Sequence, residues 1–281
     1  MTPASFEELA RLPEEELDVA LGAALVARDA YDALDVPALL ADLEGLGGPT
    51  GAEARDDRSL RDRVIAVSAR FTEIGFHGNT DDYYDPRNSL LPDVLARKTG
   101  IPITLSIVWC AMAKTAGLQA RGIAFPGHFL VRVDDEGAPR DEAAAPVIVD
   151  PFQGGSIVDD GAAAALLRRA LGDGAALHPS LFVAASARVT LVRLLTNLQA
   201  TYAKRGEYAR AFIAVDRIVT LVPDSARMLR ERGALALRIG ATEVARADFA
   251  RVVELEPQAP DIPQLQARLA NLATPPRTTL H

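Results

Sequence analysis

The spacing of apolar residues changes character along this chain. Leu17, Leu21, Ala24 and Leu25, and then Leu39, Leu40 and Leu43, recur at helical intervals, so residues 5 to about 46 read as two or three helices. Gly47-Gly48-Pro49-Thr50-Gly51 breaks the pattern and reads as a loop. A longer helix is predicted from Leu60 to Ile74, with Val64, Val67 and Phe71 inward and Gly75 as its stop. Gly75 to Arg87 is polar and reads as a loop. Asn88 or Ser89 can cap a helix from Leu90 that Gly100 ends, and Ile101-Pro102 opens another over about 103–116, closed by Gly117. Two alternating runs follow, Gly127 to Val133 and Val147 to Asp150, which read as strands. The acidic, Ala-rich stretch 134–146 between them reads as a mobile loop.

Beyond about residue 160 no strand signal returns. Helical spacing continues to about 272, with a tail without period after it. Within this half, Gly206 and Gly240, Ala211 and Ala245, Leu221 and Leu255, and Pro223 and Pro257 are each 34 residues apart. A 34-residue period with Gly between two helices and Pro after the second resembles the tetratricopeptide repeat. Val215 and Phe249 take its large apolar position, whereas Ile218 and Val252 stand where a small residue is usual. Two repeats bury little on their own. The stripe Leu191, Leu194, Leu195, Leu198 ahead of them is therefore expected to dock the repeats on the preceding domain.

Composition narrows the function. A net charge of −8 offers no cationic excess to displace counterions from phosphates, so nucleic acid is not the expected partner. No apolar run reaches membrane-spanning length, and the acidic amphipathic start is unlike a signal peptide. One cysteine permits no internal disulfide, and the expected location is the reducing cytoplasm. His77, His128, His178 and His281 are scattered without metal-ligand spacing, so neither metal nor cofactor is expected.

Each predicted strand carries a polar residue that strand packing does not require, His128 at the start of the first and Asp150 at the end of the second. In an antiparallel hairpin with even positions opposite even ones, both lie on one face. A carboxylate that orients an imidazole is two-thirds of a nucleophilic triad, although such a pair can also simply tie two strands together.

Four motifs occur in order: Tyr84-Asp85-Pro86-Arg87-Asn88-Ser89-Leu90-Leu91, Gly100-Ile101-Pro102-Ile103-Thr104-Leu105-Ser106, Pro126-Gly127-His128-Phe129-Leu130-Val131-Arg132 and Asp150-Pro151-Phe152. Together they resemble the bacterial SirB-type transglutaminase-like family, whose members join such a domain to tetratricopeptide repeats. The resemblance implies an α+β, papain-like architecture, a helix packed on an antiparallel sheet, after a helical N-terminal region and before all-α repeats. The implied division is a transglutaminase-like domain over 1–185 (helical region over 1–80, core over 81–160), repeats over 186–272 and a disordered tail over 273–281.

The resemblance also assigns His128 and Asp150 the histidine and aspartate roles of active transglutaminases. Those enzymes place a cysteine nucleophile at the start of the core helix, where the helix dipole favours a thiolate. A gapless alignment from Gly117 puts that position at Pro102. Cys110, about 12 Å further along the helix at 1.5 Å per residue, stands among apolar neighbours and reads as a buried, inert thiol. Thr104 and Ser106 are nearer the helix start, where a hydroxyl more often caps than attacks. Asp85, Arg87, Asn88 and Ser89 read as a fixed turn and helix cap, or as the rim of the His128 cleft, with Arg87 paired to Asp85 or binding a carboxylate or peptide backbone of a ligand. The function expected is recognition of a protein or peptide without catalysis. The rival is an acyl-transferase or cysteine-peptidase-like hydrolase using His128 and Asp150 with Cys110, Thr104 or water, and a small-molecule site in the cleft is a third.

Overall fold

A computed structural model describes residues 2–48, 59–135 and 145–273. The expected loop at Pro49 to Gly51, most of the 134–146 loop and the tail 274–281 lie outside them. The chain forms two compact units, Met1–Leu194 and Leu195–His281.

The first unit begins with three helices, α1 (Phe6–Ala10), α2 (Val19–Arg28) and α3 (Val36–Gly45). Asp18 and Asp35 cap the second and third by accepting from the backbone N–H groups of Leu21 and Ala38. Helix α4 (Leu60–Glu73), capped by Ser59, turns Val64, Val67 and Phe71 inward as their spacing predicts. The segment read as plain loop contains a short strand, β1 (His77–Gly78), which pairs in parallel with β2 (Thr99–Gly100) on the far side of α5 (Leu91–Arg97). Neither Asn88 nor Ser89 caps α5. They end a 3-10 turn over Pro86–Asn88, and α5 terminates at Lys98 in a left-handed conformation before Gly100 is reached.

Helix α6 (Pro102–Thr115) is the centre of this unit. It is buried on almost every side over Pro102 to Trp109, so it reads as nearly continuous apolar sequence rather than as an amphipathic stripe. It packs along a four-stranded antiparallel sheet in the order β3 (Gln119–Ile123), β4 (Leu130–Asp134), β5 (Val147–Asp150), β6 (Ser156–Ile157). The two strands read from sequence are its middle pair. The outer two were not legible because β3 mixes Gln, Arg and Gly with its apolar residues and β6 is only two residues long. The register is even-with-even, as expected, with Arg132 opposite Ile148 and Val131 opposite Val149. Ile123 and Leu130 face Ala163 and Leu167 of α7 (Asp160–Leu171) in a separate apolar cluster.

Helix α8 (Ala187–Lys204) contains the division between the units. Its first turns are fixed to the N-terminal helices. Arg188 donates to the carbonyls of Ala10 and Leu12, and Leu191 lies so close to Gly22 that a Cβ there would approach it to 2.6 Å. The second unit continues with α9 (Tyr208–Leu221), α10 (Ala226–Arg238), α11 (Thr242–Leu255) and α12 (Ile262–Ala273). The 34-residue period has a plain physical basis. Gly206 and Gly240 both adopt positive φ at the end of a helix, and Ala211 and Ala245 are fully buried where helices approach closely. Ile218 and Val252, the larger residues at a usually small position, are buried as well.

Candidate functional site

The site is built where the start of β4 meets the end of β5. His128 stands in the turn just ahead of β4, and Asp150 closes β5. Their side chains meet, Nε2 of His128 to Oδ2 of Asp150 at 2.9 Å, and are 11% and 4% exposed. The other carboxylate oxygen accepts the backbone N–H of Phe152 at 3.0 Å, so Asp150 is held from two directions. A nitrogen facing a carboxylate donates to it. In the neutral imidazole this leaves Nδ1 as an acceptor, and among the described residues that atom has no hydrogen-bond partner. The geometry thus supplies an oriented base without specifying what it acts on.

None of the candidate nucleophiles is bonded to His128. Pro102 occupies the first position of α6 and carries no reactive group. Thr104 is buried and committed: its Oγ1 lies 2.7 Å from the carbonyl of Asn88 and accepts the N–H of Ile101 at 3.2 Å. Ser106 is buried too, its hydroxyl without a partner among the described residues. Cys110 is partly accessible by surface area rather than fully buried as expected, yet burial of its thiol pushes the pKa up to about 12. The two facts bear on different things. Residual surface admits a reagent, but the thiolate is the nucleophile, and desolvation keeps the sulfur protonated.

The second polar cluster is a closed knot. Asn88 is completely buried; its amide nitrogen donates to the carbonyls of Asp82 and Tyr83, and its amide oxygen accepts from Asn79 and Arg97. Ser89 is buried beside it, so neither residue forms an open rim. Arg87 is 59% exposed, but its guanidinium is spent on Asp85 at 2.8 Å. Burial by itself would raise Asp85, and the hydrogen bonds from Arg87 with the charges of Arg87 and Arg97 outweigh it, holding the carboxyl below its ordinary range. Arg87 paired with Asp85 is one of the two arrangements the sequence allows.

What sequence reasoning missed is a series of rings leading away from His128. Phe152 meets the His128 ring edge-on at 5.9 Å, Tyr83 meets Phe152 at 6.5 Å, and Tyr84 meets Tyr83 at 5.5 Å. Tyr83 and Tyr84 are 42% and 48% exposed. Burial raises the Tyr83 phenol, partly offset by the charge of Arg193. Gly78 makes the series possible, because a Cβ there would come within 2.5 Å of the Phe152 ring. The Tyr83-Tyr84 pair in an otherwise polar stretch was the available signal.

Comparison with known proteins agrees with this architecture. Residues 38–196 match the transglutaminase-like superfamily, and residues 198–270 match the tetratricopeptide repeat. A UPF0162 protein of Xylella fastidiosa is 34% identical over 95% of this chain and 94% of its own length. The UPF0162 protein PA3419 of Pseudomonas aeruginosa is 29% identical over 86% of each chain. A shorter likeness, 39% over 62 residues, links 22% of the chain to 10% of human F-box only protein 21. Matched over most of its length by both comparisons, the chain belongs to the transglutaminase-like superfamily and, with its tetratricopeptide repeats, to the UPF0162 proteins.

Proposed function

We propose that this chain is a SirB-type, cytoplasmic protein in which a transglutaminase-like fold has lost acyl-transfer chemistry and acts by binding a protein or peptide. The observation that carries this reading is the start of α6, which offers His128 no nucleophile. The first position is Pro102, Thr104 is committed to the Asn88 carbonyl, and the only thiol lies two turns further on with its pKa raised to about 12. The exposed rings of Tyr83 and Tyr84, joined to His128 through the ring of Phe152, suit contact with a partner. Tetratricopeptide repeats are themselves a common protein-binding architecture.

One observation favours a second reading. The His128–Asp150 bond is intact and leaves Nδ1 available, which suits activation of a water molecule for hydrolysis. An assay separates the two. The full chain and His128→Ala are compared for cadaverine incorporation into casein and for hydrolysis of peptide and ester substrates. No turnover above buffer is expected from either protein. Turnover that disappears in His128→Ala overturns the non-catalytic reading.

A further inference from the structure

Arginines in the second unit are, as a rule, spoken for. Arg232 bonds both Asp248 and Asp216, Arg230 bonds Asp261 and Glu256, and Arg251 bonds Asp224 and Glu254. Arg205, Arg210 and Arg246 pair with glutamates, and Arg238 lies over the ring of Tyr208. Among the described arginines of this unit, Arg227 and Arg268 alone have no ion pair, hydrogen bond or ring contact. Both line the same cavity, a groove of about 390 Å³ between α10 and α12.

We propose that this groove binds an acidic peptide segment, with carboxylate side chains on Arg227 and Arg268 and an apolar side chain between them. The inference rests on the protein-recognition reading and names the chemistry of one partner. Arg227, Arg230 and Ala234 recur on one face of α10, and Leu265 and Arg268 stand three residues apart on α12, just after Asp261. The floor is apolar, made of Ala234, Leu265 and the buried ring of Phe249. That ring is fixed, because it rests on Gly233, where a Cβ would come within 2.5 Å. The acids nearby do not cancel the attraction evenly. Asp261 is consumed by a bidentate contact with Arg230, at 2.7 and 2.9 Å. Glu231 forms no ion pair among the described residues, so a ligand is uncharged or basic opposite it. A groove of this volume takes a few side chains rather than a domain. The net charge of −8 over the whole chain disfavours a long polyanion and leaves a short acidic and apolar peptide as the matching occupant.

Fluorescence anisotropy on the full chain tests this with a fluorescein-labelled, N-acetylated and C-amidated peptide of alternating glutamate and leucine. Matched glutamine–leucine and lysine–leucine peptides and a single-stranded RNA serve as comparisons. The glutamate peptide is expected to bind at least about tenfold more tightly than either matched peptide or the RNA. Arg227→Glu and Arg268→Glu are each expected to weaken it about tenfold, and Arg227→Gln and Arg268→Gln by a smaller factor in the same direction. Arg169→Glu makes the same charge change on α7, outside the groove, and is expected to leave binding unchanged. Equal binding of the glutamate and glutamine peptides, no binding of any peptide, or variants that bind like the parent would overturn the proposal. RNA bound more tightly than the glutamate peptide, with the same arginine dependence, overturns the peptide assignment. The protein-recognition reading fails separately, by the His128-dependent turnover described above.

Discussion

Two polar clusters of the first unit look alike in sequence and differ in what they leave unused. Around Asn88, each side-chain oxygen and nitrogen of that amide has a partner inside the protein, and Asp85 is gripped by two arginines. Around His128, one ring nitrogen is fixed by Asp150, the other has no partner among the described residues, and the neighbouring rings run out to exposed Tyr84. The first arrangement spends its polarity on holding a loop; the second keeps a polar atom in reserve. A buried polar group is costly to leave unmatched, so a satisfied cluster is most simply read as structural and an open one as a place for a ligand. The same contrast recurs in the second unit between Arg230, matched by two acids, and Arg227 or Arg268, matched by none among the described residues.

The largest expected effect tests the contrast directly. Asn88→Ala strands two backbone carbonyls, the Asn79 amide and part of the Arg97 guanidinium in a fully buried site. About 3 kcal/mol of stability should be lost, against about 1 kcal/mol for His128→Ala, which removes one bond at the end of the sheet. Urea unfolding of both variants measures the difference. Equal losses, or a larger loss at His128, would make the two clusters structurally equivalent and remove the basis for the distinction.

Asp85 gives the next effect, and it depends on pH. Its folded pKa lies below the unfolded value, so its contribution is fully present above that unfolded value, about 3.9, and is lost as pH falls through the lower folded one. Asp85→Asn should therefore cost about 2 kcal/mol near neutrality and progressively less below about pH 4. Thermal unfolding of both proteins between neutral and acid pH measures the convergence. A constant gap between them would mean that the carboxylate charge is not what the arginines hold.

Much of this was legible in the chain because the signals were periodic or paired. The helical spacing of Val64, Val67 and Phe71, the alternation of β4 and β5, and the 34-residue interval each reflect one geometric rule repeated several times. The pairing of His128 with Asp150 followed from strand parity and the position of the two residues at opposite ends of a hairpin. The rest depended on tertiary company. Asn88 and Ser89 looked like a helix cap because a cap is the commonest local use of those residues, but the loop 79–85 folds over them and draws their polarity inward. The parallel pair of β1 and β2 joins two-residue strands on either side of α5, too short for any pattern. The ring series from Phe152 to Tyr84 and the isolation of Arg227 and Arg268 are properties of neighbours far apart in sequence, and no local reading contains them.

Cys110 carries the smallest effect at neutral pH and sharpens the contrast from the side of chemistry. Its thiol is raised from 9.0 to about 12, which leaves about a thousandfold less thiolate near pH 7 than an ordinary cysteine has. Alkylation by iodoacetamide, followed by intact mass, should be slow in the native protein despite the partial exposure of the residue, and fast in urea. Near neutrality Cys110→Ser should change stability by less than about 1 kcal/mol, because both states of the parent hold the thiol protonated. The alkaline side differs. Above the unfolded value the unfolded chain releases a proton that the folded chain keeps, so native stability falls with rising pH, by about 1.4 kcal/mol one unit above that value. Cys110→Ser should remove that decline. Rapid native alkylation at neutral pH, or an alkaline profile unchanged by the substitution, would mean that the thiol is ionisable in the fold and would restore Cys110 as a candidate partner for His128.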